Sequence, residues 1–102
     1  MSTLHDLSAH HLSDAFRRGT LSPVEVTLAV IAHVEHWERS LCALWAWEPE
    51  VALDMARASE ARWREGRPLS ALDGVPVTIK ENIATRGHAM PLGSAATELL
   101  PA

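Results

Sequence analysis

Apolar and polar residues along the chain alternate with helical spacing in three places. Ser8 is placed to N-cap a short helix whose Leu12, Ala15 and Phe16 share one side. Arg17 and Arg18 stand in its last turn, where cations suit the helix dipole, and Gly19 follows as a stop. Only Thr20 and Leu21 intervene before Ser22-Pro23-Val24-Glu25, which has the form of a capping box with proline at the first helical position. The helix that follows carries an apolar stripe through Thr27, Val30 or Ile31, Val34 and Trp37. Pro49 opens a third helix with Ala52, Met55, Ala56, Ser59 and Trp63 on its inward side. Arg57, Glu60, Arg64 and Glu65 supply a solvated side. The pattern predicts helices over about 9–18, 23–39 and 49–65.

Between and after these lie two stretches that read as strands. Leu41 to Trp47 is a short apolar run with bulky residues at 41, 45 and 47, and predicts a buried strand. Residues 67–74 are rich in turn formers: Pro68, Ser70, Asp73 and Gly74. A second strand is predicted over 75–80, with Val75, Val77 and Ile79 on one face and Pro76, Thr78 and Lys80 on the other. Strand, helix and strand in that order make a βαβ unit with a right-handed crossover. Two parallel strands do not make a sheet that stands alone. The expected fold class is therefore α/β: N-terminal helices plus a βαβ unit, an incomplete portion of a larger domain.

Composition narrows the function. The 102 residues carry 9 basic and 13 acidic side chains, a net charge of -4, which argues against a nucleic-acid binder working through a basic surface. No stretch approaches the ~18 consecutive apolar residues needed to span a membrane, and Met1 to Leu7 lacks the form of a secretory signal. With a single Cys, at position 42 in an apolar run, these features lead us to expect a cytoplasmic protein with no membrane or nucleic-acid partner. All basic residues but one are Arg, so chemistry that needs an amine side chain has one candidate, Lys80. It stands at the C-terminal end of the predicted strand 75–80, the end where open α/β sheets build their sites. Desolvation there disfavours the ammonium, and a neutral lysine is a competent base for a serine hydroxyl or a Schiff-base nucleophile.

A longer pattern surrounds this lysine. Gly66, Pro68-Leu69, the run Asp73-Gly74-Val75-Pro76-Val77-Thr78-Ile79-Lys80-Glu81-Asn82, then Gly87 and Gly93-Ser94, resemble the first block of the amidase signature hydrolases. Leu21-Ser22-Pro23-Val24-Glu25 and the alanine-rich third helix are similar as well. The resemblance covers almost the whole chain, and its specific portion is Gly74 to Asn82. It implies a Ser–cis-Ser–Lys triad in which Lys80 is the catalytic base. The uncharged lysine takes a proton from a bridging serine, which activates a nucleophilic serine to form an acyl-enzyme. The resemblance places both serines in a Gly/Ser-rich segment beyond Ala102, and Ser94 matches a loop position rather than either of them. The expected partners are a small amide substrate in the full-length enzyme and the remaining C-terminal portion, with no cofactor and no metal. The 102 residues alone are expected to be inactive. The alternatives are a subunit of the glutamine-dependent amidotransferase type, and a non-catalytic interaction module or piece of a split enzyme.

Other constellations are read as structural. His33 and His36 are three apart on a helix, but no cysteine pair or acidic cluster joins them as a metal site. His88 is read as a loop histidine and Cys42 as an inert buried thiol. Trp37, Trp45, Trp47 and Trp63 are expected in the core or under further polypeptide, and Arg57, Arg62, Arg64 and Arg67 on a solvated helix face.

Overall fold

In the computed structural model the described residues are 4–41, 44 and 47–78. The chain divides into two compact units, Met1–Ala43 with Glu48–Pro76, and Leu44–Trp47 with Val77–Ala102. In the first, a short 3-10 turn at Leu4–Asp6 precedes α1 (Ala9–Arg18), α2 (Pro23–Leu41) and α3 (Pro49–Arg64).

Local rules account for the helix ends. Ser8 Oγ accepts the backbone N–H of His11 at 3.1 Å. Gly19 closes α1 in the left-handed region at φ 73°, and Thr20 N–H returns to the Ala15 carbonyl at 3.0 Å. The capping box of α2 forms in both directions. Ser22 Oγ accepts from Val24 N–H at 3.1 Å and Glu25 N–H at 3.2 Å, while Ser22 N–H donates to Glu25 Oε1 at 3.1 Å. Such a cap contributes about 1 kcal/mol. Gly66 ends α3 at φ 70°, with Arg67 N–H bonded to the Arg62 carbonyl at 2.8 Å.

The core lies where the three helices meet. Leu12 and Phe16 of α1 pack with Val26 of α2, which is fully buried. Leu4, Leu7, Leu21, Val30, Trp63 and Val75 close around them, and the Phe16 and Trp63 rings are 6.2 Å apart in a tilted arrangement. Full burial of one such aliphatic side chain stabilises by about 1.5–3 kcal/mol. Two sets of charged pairs stay on the outside: Asp14 joined to Arg17 and Arg18, and Asp54 to Arg57.

Several expectations change. The buried side of α2 is Pro23, Val26 and Thr27, whereas Trp37 is 48% exposed. The buried residues of α2 all lie in its first turns, Val30 and Val34 are half-buried, and the stripe is out in solvent by Trp37. On α3 the buried residues are Leu53, Ala56 and Ser59, and Met55 is exposed because it lies about a quarter turn off that line. The α/β expectation is met only in its helices. Leu41 belongs to α2, not to a strand over 41–47, because no Gly or Pro stops the helix at 39. Among the described residues there is no strand and hence no βαβ unit: 44, 47 and 75–78 belong to no ladder. A strand needs a hydrogen-bonded neighbour, and the proposed partner stretch has lost Leu41 to a helix. Val77 is exposed while Val75 packs on the core, so the expected common face is not seen. Residues 42, 43, 45, 46, 79 and 80 of the two expected strands lie outside the described residues.

Candidate functional site

The most elaborate polar arrangement among the described residues is built between the end of α3 and the turn that leads into residue 75. Ser70 starts the turn: its hydroxyl accepts Leu72 N–H at 3.1 Å, and its carbonyl accepts Asp73 N–H at 3.2 Å. Val75 N–H then bonds to the Leu72 carbonyl at 3.0 Å. This folding-back brings Asp73, whose side chain is 4% exposed, against α3. Arg62 meets it with a two-pronged ion pair, Nε to Oδ2 and Nη2 to Oδ1, both 2.7 Å. Oδ2 also accepts Leu69 N–H at 2.9 Å, and the Asp73 carbonyl accepts Trp63 Nε1–H at 2.9 Å.

These donors fix the charge of the site. The Arg62 hydrogen bond holds the Asp73 carboxyl far below the usual carboxylate range, against burial, which pushes it the other way. The Leu69 N–H adds to the lowering. In return, Asp73 raises the pKa of Arg62. The fully buried Ser59 hydroxyl lies close enough to favour the ionised carboxylate, without the geometry of a hydrogen bond.

Gly74 completes the arrangement. Its φ is 87°, and a Cβ there would sit 2.5 Å from Ser59 Oγ and 2.7 Å from Pro23 Cγ. Glycine is thus required twice, by conformation and by space. The ion pair itself provides no acid, base or nucleophile at neutral pH; its chemistry is to hold a turn.

The residues singled out from the sequence fare differently. Lys80 lies outside the described residues, as do Cys42, Trp45, His88 and Ser94. His33 and His36 are not brought together: His33 stacks on His5 with centroids 3.8 Å apart, and His36 meets Trp37 edge-on at 5.0 Å. Among the described residues no group of three or more His, Cys, Asp or Glu could hold a metal ion. No described helix is long and apolar enough to cross a membrane. Arg62, expected on a solvated face, is instead the partner of Asp73. The only sequence signal for that pair was an aspartate before a glycine in a turn.

Comparison with known proteins adds the wider frame. The family model described as Amidase matches residues 25–102. Among curated relatives, a glutamyl-tRNA(Gln) amidotransferase subunit from Chloroflexus aggregans is 39% identical over 94 residues, covering 92% of this chain and 19% of the relative. The corresponding subunit from Moorella thermoacetica is 38% identical over 84 residues, covering 82% of this chain and 17% of that protein. The mitochondrial counterpart from Aedes aegypti is 38% identical over 81 residues, covering 79% and 16%. The chain thus spans about a fifth of the length of these relatives. No solved structure matches it. A family match from Glu25 to the last residue, with Asp73, Gly74 and Lys80 inside it, places this chain in the Amidase family.

Proposed function

We propose that these residues are the N-terminal part of an amidohydrolase that cleaves carbon–nitrogen amide bonds through a serine acyl-enzyme, with Lys80 as its catalytic base. The observation that carries this reading is the run Gly74 to Asn82, with the chain's one lysine, inside the family match. In this reading residues 42–47, beyond the end of α2, and 75–80 become strands of an α/β sheet that needs further strands from the rest of the protein. Neutral Lys80 Nζ takes a proton from the bridging serine, and that serine takes one from the nucleophile. The nucleophile's oxygen bonds to the amide carbon, the C–N bond breaks, and the proton returns to the departing amine. Water then cleaves the acyl-serine and releases the acid. Both serines lie on polypeptide beyond residue 102, so the 102 residues alone turn nothing over. The enzyme acts on small amides in the cytoplasm.

A second reading is favoured by the names of the three relatives described above, each an amidotransferase subunit. The segment would then belong to a subunit that releases ammonia from glutamine within a larger assembly. The exposed apolar residues Trp37, Leu41 and Met55 support contact with further polypeptide in either case. The test is to express the entire open reading frame that encodes these residues and to assay it on a panel of small amides and on glutamine. Turnover of the small amides is expected. A strong preference for glutamine assigns the second reading, and no amide turnover under any condition overturns both.

A further inference from the structure

The short turn at Leu4–Asp6 lies against α2. Leu4, with Leu7 just after it, packs on the core of Leu12, Phe16 and Val26. The turn is closed by Leu7 N–H, which donates to the Leu4 carbonyl at 3.3 Å. Beside these contacts His5 lays its ring flat on that of His33, with centroids 3.8 Å apart and planes 14° from parallel. Such a stack tolerates one charge, because a cation over an aromatic face is attracted to it. Two imidazolium rings at that separation repel. The surrounding charges offset this only in part. On the turn, Asp6 Oδ1 is 3.5 Å from His5 Nε2, but the Asp6 side chain is 70% exposed and screened by water. On α2, His36 follows His33 by one turn and meets Trp37 edge-on, while Glu35 projects from the other side of the helix. On α1, His10 lies near Asp14. Among the described residues no carboxylate pairs with His33.

We propose that the His5–His33 stack is an acid-released clasp: it holds the N-terminal turn on α2 while the pair carries at most one proton, and lets the turn go when the second proton binds. The closed pair resists the second proton and the released pair takes both freely. The open form therefore binds more protons, and falling pH favours it. Histidine changes charge between about pH 5 and pH 8, so the clasp works in a range where the carboxylates stay ionised. Release lifts Leu4 and Leu7 away from Leu12, Phe16 and Val26 and uncovers one edge of the core. The clasp is independent of the role assigned to Lys80.

The experiment compares the intact chain with His33→Phe and His5→Phe, each of which keeps a flat ring in the stack and cannot take a proton. Two NMR readouts are followed from about pH 8 to about pH 5. One is the protection factor of the Leu7 amide, which removes the intrinsic pH dependence of exchange. The other is the Overhauser contact between the rings at 5 and 33. One extra proton on the open form is worth up to about tenfold per pH unit. The intact chain is expected to lose Leu7 protection at least about tenfold over this range, and to lose the ring contact, with the Ala56 amide of α3 unchanged. Both phenylalanine variants are expected to keep the ring contact and to hold Leu7 protection within about twofold. Where one variant fails to fold, the other decides, and where Leu7 exchanges too fast to follow, the ring contact decides. A stack that persists in acid, protection that rises in acid, a loss shared equally by Ala56, or the same acid response in the phenylalanine variants overturns the proposal.

Discussion

Three glycines hold positive φ, and they differ in one respect. Gly19, Gly66 and Gly74 lie at 73°, 70° and 87°, but only Gly74 has neighbours where a Cβ would go. Alanine at any of them incurs the left-handed penalty of about 1–2 kcal/mol. The gain from a stiffer unfolded chain, about 0.4–1 kcal/mol, is common to all three and cancels in a comparison. At Gly74 the methyl must also displace Ser59 Oγ from 2.5 Å and the Pro23 ring from 2.7 Å. Both neighbours are fully buried, so neither can swing away into solvent. Overpacking of that kind costs about 1–3 kcal/mol more. Gly74→Ala is therefore expected to destabilise by about 1–3 kcal/mol more than Gly19→Ala. Urea denaturation of the two variants beside wild type, with unchanged m-values, gives the difference directly. A Gly74→Ala cost no larger than that of Gly19→Ala would refute the claim that the turn is seated on Ser59 and Pro23.

Two further outcomes are expected. Asp73 is more acidic in the folded chain than its ordinary value of 3.8, so below about pH 4 the unfolded chain binds the extra proton. Its contribution is full above that pH and is lost as pH falls toward the folded-state pKa. Asp73→Asn should destabilise by about 2 kcal/mol at pH 7 and flatten the decline in melting temperature below pH 4; an unchanged acid slope counts against a dominant role for Asp73. Ser22→Ala removes the hydroxyl that accepts two backbone N–H groups and should cost about 1 kcal/mol, measured by thermal unfolding. A variant that melts with wild type would show that the box adds nothing here.

The parts of this fold that obey local rules could be read from the chain alone. Ser8, Gly19, Ser22 and Glu25 each act within a few residues of themselves, so their caps follow from spacing. Burial along a helix is set by what lies across from it, and there the pattern misled. Trp37 continues the stripe of α2, yet the buried residues of that helix, Pro23, Val26 and Thr27, all lie near its start. Met55 fails for a similar reason, since Leu53 and Ala56 define the covered line of α3. The Arg62–Asp73 pair was illegible because eleven residues separate its members and no helical or turn period links them. The lysine was the reverse case. Its role is implied by the run around it, which needs no tertiary contact to recognise, while Lys80 itself lies outside the described residues.

The central claim is that Lys80 is the base of an amide-cleaving serine enzyme. Its most direct test is kcat/KM for amide hydrolysis by the protein of the entire reading frame, wild type against Lys80→Met, which keeps an unbranched chain one atom shorter and removes the amine. The account predicts a loss of at least about a thousandfold with an unchanged melting temperature. Activity retained within tenfold would contradict it.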